Sequence, residues 1–307
     1  MTVSIPTQPR TLPEPRALLT LLKPITWFPP MWAYLCGVVS SGVWPGEAGT
    51  SWLLVLFGIV LAGPVVCGMS QAANDWCDRH VDAINEPNRP IPSGRVPGRW
   101  GLYVALAMTA LALAMGWVLG PWGFGATVVG VIAAWAYSAE PVRLKRSGWW
   151  GPGLVGLCYE GLPWFTGAAV MVAAAPSFAV VTLALLYAMG AHGIMTLNDF
   201  KALEGDRRMG LRSLPVVMGP EMAARCACTV MALAQLLVIA LLFVWDRPVH
   251  ALAVAALLAA QIAAMRVLLR DPRAKAPWYN GTGVTLYVAG MMVSAFAVRD
   301  LAPLGGM

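Results

Sequence analysis

The chain has 307 residues, of which 58% are apolar and only 12% are Asp, Glu, Lys or Arg, with a net charge of +6 and a mean hydropathy of +0.66. An ordinary soluble domain carries roughly 25% charged residues, so a soluble enzyme, a nucleic-acid binder and a disordered chain are excluded. What remains is a polytopic membrane protein built of spans of about 20 residues, with the lipid bilayer as its first partner.

Residues 1–24 hold Pro6, Pro9, Pro13, Pro15 and Pro24 with Arg10, Arg16 and Lys23, and no apolar core of the signal-peptide type. They predict a short, irregular cytoplasmic arm. Residues 25–307 predict one domain, with no linker long enough to set off a second. Apolar runs bounded by charge, Pro or Gly fall at 26–43, 51–73, 101–119, 122–138, 151–174, 178–197, 223–245, 249–269 and 281–298. Each crosses, or nearly crosses, a hydrocarbon core of about 30 Å at 1.5 Å per residue. In lipid every backbone N–H and C=O must be satisfied within its own segment, so all nine runs are expected to be helices. The expected fold class is all-α, a single bundle of nine transmembrane helices. The six cysteines show no metal spacing and read as small apolar filler.

Loop charges set the orientation. The arm, the loops after the second, fourth and sixth runs, and the segments near Arg225 and the eighth run collect 19 of the 21 bases, leaving Arg247 and Arg299 on the other side. Cytoplasmic loops gather Lys and Arg, so the N-terminus is expected inside and the C-terminus outside. The positive balance is thus mainly topological, yet nearly all the acids share the same face. The loops there are also the long ones, and long loops on one face tend to carry function.

Two acidic segments resemble each other. The first is GMSQAANDWCDRHVDAINEPNRPIPSG, Gly68 to Gly94, and the second is GIMTLNDFKALEGDRRMGLRSLPVVMG, Gly193 to Gly219. Asn74 and Asn198 are 124 residues apart, which suggests a weak internal repeat of helices 1–4 and 5–8. Asp75, Asp78 and Asp82 are spaced to share one face of a continued helix, and Asp199 and Asp206 are again seven apart. Five like charges converging from two helix ends call for a cation, and hard oxygen donors select Mg²⁺ or Ca²⁺. Mg²⁺ uses few carboxylates and fills its remaining positions with water and substrate phosphates. Arg89, Arg143, Lys145, Arg146 and Lys201 on the same face suit such phosphates.

At these residues the sequence resembles the UbiA-type intramembrane prenyltransferases. Their N-D-x-x-D-x-x-x-D signature is matched by Asn74, Asp75, Asp78 and Asp82, and their second acidic signature by Asp199, Glu204, Gly205, Asp206 and Arg207. The middle acid of the second signature is Ala202 here, which removes one possible metal ligand. NDWCDRHVDAINEPNRPIPSGR, NDFKALEGDRRMGLRSLPV and AYSAEPVRLKRSGWWGP look like the chlorophyll and bacteriochlorophyll synthase branch, and Cys77 and His80 lean toward its bacteriochlorophyll side. The likeness runs from KPITWFPPMWAYLCG to PWYNGTGVTLYVAG.

The resemblance implies a helical bundle around a central cavity and Mg²⁺ as cofactor, held by Asp75, Asp78, Asp82, Asp199 and Asp206. It implies geranylgeranyl or phytyl diphosphate as donor, contacted by Asn74, Arg89, Arg143, Lys145, Arg146, Asn198 and Lys201. C–O cleavage leaves an allylic cation facing Tyr137, with Lys145 and Arg89 stabilising the departing diphosphate. The 17-propionate of bacteriochlorophyllide then attacks C1 as an anion, needing no general base. The implied location is the intracytoplasmic membrane with the active site facing the cytoplasm, alongside pigment-biosynthesis or light-harvesting partners.

Glu160 and His192 lie inside predicted spans, where ionisable groups are rare, and either is a candidate for the macrocycle site. His192 could ligate the chlorin magnesium, although a buried helix-to-helix hydrogen bond suits both residues. A chlorophyllide or an aromatic acceptor is the alternative within the class. A transporter would place its ionisable groups near the midplane at broken helices, and a pigment-binding subunit would carry more intramembrane histidines than His192.

Overall fold

A computed structural model describes residues 11–47, 50–208 and 210–301; Pro6, Pro9 and Arg10 of the expected arm lie outside them. Among the described residues ten helices carry the fold, and the one β-bridge joins Ser147 to Arg212. They are α1 (Pro15–Leu22), α2 (Phe28–Ser40), α3 (Trp52–Asn85), α4 (Trp100–Val118), α5 (Gly120–Ser138), α6 (Trp150–Val172), α7 (Phe178–Arg208), α8 (Pro220–Val244), α9 (Pro248–Leu268) and α10 (Pro272–Val298). Proline opens α1, α8, α9 and α10, where its missing N–H costs nothing and its fixed φ already suits a helix.

The all-helical expectation holds. Seven helices, α3, α4 and α6 to α10, are long and apolar enough to cross a membrane. The runs at 26–43 and 122–138 differ. In the first, Pro24–Thr26 forms a 3₁₀ turn and α2 ends at Ser40, leaving 13 residues, or about 20 Å of helix. In the second, α5 has 19 residues, but its glycines and aromatic residues dilute its hydropathy. The arm is also more ordered than expected: α1 buries Ala17 and Leu21 against α3.

Successive helices from α2 to α10 pack as neighbours, α10 returns to α2, and α2 and α10 also pack on α6 and α7. Association within lipid gains little from the hydrophobic effect, so close packing and interhelical hydrogen bonds carry it. Both are present. A β-carbon on Gly37 would stand 2.1 Å from the Trp164 carbonyl oxygen, and one on Gly167 would stand 2.2 Å from that of Tyr34. Only reciprocal glycines let α2 and α6 approach so closely. Buried polar tips are joined: Trp164 Nε1 donates to Ser40 Oγ at 3.0 Å, Gln235 Nε2 to Gln261 Oε1 at 2.6 Å, and Tyr287 Oη to the Tyr187 carbonyl at 2.7 Å.

Two helices contain a π-turn. In α3 it spans Leu61–Cys67 around Pro64, and in α6 it spans Leu157–Gly161. Beyond its π-turn α3 runs on to Asn85, so the first acidic segment begins on a membrane helix.

Candidate active site

The continuation of α3 delivers Asp75, Asp78 and Asp82, and protein cations meet all three. Asp75, 2% exposed, accepts from Lys23 Nζ at 2.7 Å and lies 3.4 Å from Arg89 Nη1. Arg89 also holds Asp82 at 2.9 Å and Glu86 at 2.6 Å. Asp78 sits apart from these, bound by Arg143 at 3.0 Å and by Lys145. Lys23 and Arg143 reach their aspartates from left-handed backbone, with φ of 47° and 38°. Burial disfavours the Arg89 charge, but the hydrogen bond to Glu86 and the charges of Asp75 and Asp82 outweigh it and raise its pKa. Burial lowers the pKa of Lys145, against the opposing pull of Asp78.

The second segment is built differently. The α-helical part of α7 ends at Asn198, Asp199–Ala202 winds as a 3₁₀ turn, and Leu203–Arg208 resumes the helix. The 3₁₀ turn tightens the path between Asp199 and Asp206, and both carboxylates line the same cavity. Asp206 accepts from Ser213 Oγ at 2.7 Å, and neither Asp199 nor Asp206 has an ion-pair partner among the described residues. The backbone of Arg212 pairs with Arg146 at 3.1 Å and Gly148 at 2.9 Å, which ties this segment to the basic loop carrying Arg143, Lys145 and Arg146.

Both segments open on one cavity of about 820 Å³. Its charged end is lined by Asp78, Asp82, Arg89, Arg143, Lys145, Arg146, Asp199, Lys201 and Asp206, with Asn74 and Asn198 beside them. Its walls further in are Tyr137, Tyr159 and the apolar residues Pro30, Ala62, Val66, Ala133, Ala134, Leu154 and Val155. A small apolar pocket of about 50 Å³ adjoins it and shares Ala62, Val66, Gly130 and Cys158 with its wall. The motif asparagines are anchored from other helices. Asn74 Nδ2 donates to Ser138 Oγ at 3.3 Å, and Asn280 Nδ2 donates to Asn198 Oδ1 at 2.8 Å.

Three expected site residues stand off the cavity wall. Asp75 faces Lys23 and Arg89 instead. Glu160 sits in the α6 π-turn at 4% exposure, with Oε2 unpartnered among the described residues. His192 is 8% exposed, lies against the Trp149 ring at 5.3 Å between centroids and approaches Thr196.

No three His, Cys, Asp or Glu side chains among the described residues gather tightly enough to hold a metal unaided. The donor set still fits a hard cation of Mg²⁺ type. Every candidate ligand is an oxygen, neither Asp199 nor Asp206 is tied up in an ion pair among the described residues, and such an ion takes few carboxylates and completes its shell with phosphate oxygens.

A UbiA prenyltransferase family profile matches residues 27–294. This chain belongs to the UbiA prenyltransferase family. It is 75% identical over 304 residues to the bacteriochlorophyll synthase 33 kDa chain of Cereibacter sphaeroides, covering 99% of this chain and 100% of that one. To the chloroplastic chlorophyll synthase of Arabidopsis thaliana it is 36% identical, over 91% of this chain and 73% of the relative. The UbiA fold is matched by a homologue from Archaeoglobus fulgidus bound to GPP and Mg²⁺, with a TM-score of 0.64 at 21% identity, covering 93% of this chain and 100% of that chain.

The UbiA motifs led to the charged end of the cavity but not to its depth. Sequence reading missed Gln71 and Tyr159 and treated Cys67 as filler, whereas Cys67 bonds Tyr159 across the cavity wall. Pro64 within an apolar run and the Gly161-Leu162-Pro163 step were the available signals. It also missed Lys23 and Asn280, whose partners lie 52 and 82 residues away.

Proposed function

We propose that the chain transfers a geranylgeranyl or phytyl group from its diphosphate to the 17-propionate carboxylate of bacteriochlorophyllide, yielding the esterified pigment. The observation that carries this reading is a cavity with two acidic segments and a basic loop at one end and apolar walls beyond. A polyprenyl diphosphate has the same polarity: a multiply charged head and a long hydrocarbon tail. The 75% identity to the Cereibacter protein chooses the acceptor.

In this reading Asp78, Asp82, Asp199 and Asp206 hold Mg²⁺, and Asp75 acts behind them by fixing Arg89 and Lys23. Bound Mg²⁺ supplies Lewis-acid stabilisation of the charge that develops on the leaving diphosphate. Arg89, Arg143, Lys145, Arg146 and Lys201, with Asn74 and Asn198, grip the same oxygens. Electrostatic groups already in place lower the barrier most, because they need not reorganise as charge develops. Tyr137, on the wall below, faces the allylic carbon, where an aromatic ring stabilises positive charge. The acceptor arrives as a carboxylate and requires no base. For His192 to contact the macrocycle, Trp149 must move off its ring, and Glu160, buried in the α6 π-turn, would have to become accessible.

The bundle sits in the cytoplasmic or intracytoplasmic membrane with its acidic end toward the cytoplasm, with α2 and α5 completing nine membrane helices. The 19-to-2 distribution of bases supports that orientation. An acidic end in the cytoplasm also leaves the product beside any pigment-binding partner in the same bilayer.

The deciding assay supplies labelled geranylgeranyl diphosphate and bacteriochlorophyllide to membranes expressing the chain. Label is expected in the ester only with Mg²⁺ present, and Asp78→Ala is expected to reduce the rate by about a hundredfold or more. Inactive wild-type membranes, or full activity in Asp78→Ala, overturn the reading. Chlorophyllide in place of bacteriochlorophyllide tests the second acceptor, which the 36% identity to chlorophyll synthase keeps in view.

A further inference from the structure

Between the charged end of the cavity and its apolar walls lies a band of neutral polar side chains that the transfer chemistry above does not use. Gln71 Nε2 donates to Tyr159 Oη at 3.0 Å. The Cys67 thiol lies 3.4 Å from both Tyr159 Oη and the Thr26 carbonyl oxygen, donating to either. All three side chains line the cavity. The two π-turns create this band: that of α3 ends on Cys67, and that of α6 contains Tyr159. Such turns interrupt a regular helix and recur at functional sites; here two of them meet through one hydrogen bond.

The band is built of donors. A phenol oxygen that accepts from Gln71 and Cys67 keeps its own O–H for another partner, and the Gln71 amide keeps its second N–H. Gln71 precedes Asn74 by three residues and Asp78 by seven, so it lies on their helix face, about 10 Å deeper along α3 than Asp78. We propose that Tyr159 and Gln71 form the subsite for the acceptor's carboxylate. This inference rests on the transferase reading above.

Position and charge both favour it. With the departing diphosphate held at the charged end, the face of the allylic C1 left open to the carboxylate is the deeper one. One carboxylate oxygen bonds to C1, the electron pair of the C1–O bond leaves with the diphosphate, and no proton moves. A base in this band would compete for the leaving group, and an acid would repel the acceptor. Neutral donors hold the second carboxylate oxygen without either penalty. Tyr159 and Gln71 are therefore positioning residues, and Cys67 orients the phenol.

The test compares binding of bacteriochlorophyllide and of its 17-propionate methyl ester to the purified full chain by optical titration, alongside KM for each substrate. Hydrogen bonds to a charged group are worth about 1.5–3 kcal/mol, so wild-type protein is expected to prefer the acid over the ester by about tenfold or more. Tyr159→Phe and Gln71→Leu should each remove most of that preference and raise the acceptor KM about tenfold, with the KM for geranylgeranyl diphosphate unchanged. Gln71→Glu should weaken acid binding while sparing the ester, and it carries the test if Tyr159→Phe does not fold. A wild-type protein without acid preference, or variants that keep it, overturn the subsite. Equal losses for both substrates also overturn it, since they mark a structural role. An acid preference in a protein that transfers no prenyl group would keep the subsite and sink the reaction.

Discussion

Two of the bases that neutralise the first acidic segment act from backbone conformations that side-chain-bearing residues rarely adopt. Lys23 and Arg143 have φ of 47° and 38°, a state costing on the order of 1–3 kcal/mol for a non-glycine residue. Each brings its charge to one aspartate, Lys23 to Asp75 and Arg143 to Asp78. An unpaired carboxylate buried as deeply as Asp75 would cost more, so the ion pair sustains the strained turn. Lys23→Met leaves Asp75, among the described residues, with only the 3.4 Å contact to Arg89, and a loss of about 1–3 kcal/mol is expected, read as a lower unfolding temperature in detergent. Adding Asp75→Asn should recover part of it, because the double variant no longer buries an uncompensated charge. A neutral Lys23→Met would show that Arg89 alone satisfies Asp75. The first motif was legible as acids needing cations, but not which cations the protein itself provides. Lys23 reads in sequence as a topological marker, and only the left-handed turn before α2 reveals its second role.

At the scale of elements, the crossing of α2 and α6 brings two backbones into direct contact, and Gly37 and Gly167 make it possible. Gly167→Val sets a branched side chain against the Tyr34 carbonyl, where even a β-carbon would stand 2.2 Å away. A destabilisation of about 3 kcal/mol or more is expected, seen as loss of folded protein in membranes. A methyl group on Gly281 in α10 would meet nothing within 4 Å. Gly281→Ala should therefore stabilise by about 0.5–1 kcal/mol through helix propensity alone. Equal effects of the two substitutions would refute the packing argument. The helices themselves were largely legible, because apolar runs of span length leave the backbone no other solution in lipid. The π-turns were not, since an extra residue in a turn leaves an apolar run apolar. The 3₁₀ turn at Asp199 escaped for a similar reason: acids seven apart carry no mark of a change in helix type.

For the molecule as a whole, scarce charge and its uneven distribution make a single argument. With 12% charged residues the chain cannot support a solvated surface, and the few charges it has gather where α3 and α7 end. That end carries the basic loop, both acidic segments and the mouth of the cavity, whereas the α2–α3 connection lies at the far end of α3. A diphosphate head cannot enter hydrocarbon without several kcal/mol of penalty per unsatisfied polar group, so the reaction belongs at the end that water reaches. The bias of bases supports the proposal that this end is cytoplasmic. Glu47 and Asn88 are exposed at opposite ends of α3 and report on this directly. In sealed right-side-out vesicles an impermeant thiol reagent is expected to label Glu47→Cys and spare Asn88→Cys, and inverted vesicles should reverse the pattern. Peptide mass mapping separates the engineered sites from the six native cysteines. The opposite pattern would turn the bundle over and place the acidic segments outside the cell. Labelling of both sites from one face would remove α3 as a span, and with it the route by which a membrane helix carries Gln71, Asn74 and Asp78 from the apolar interior to the charged end.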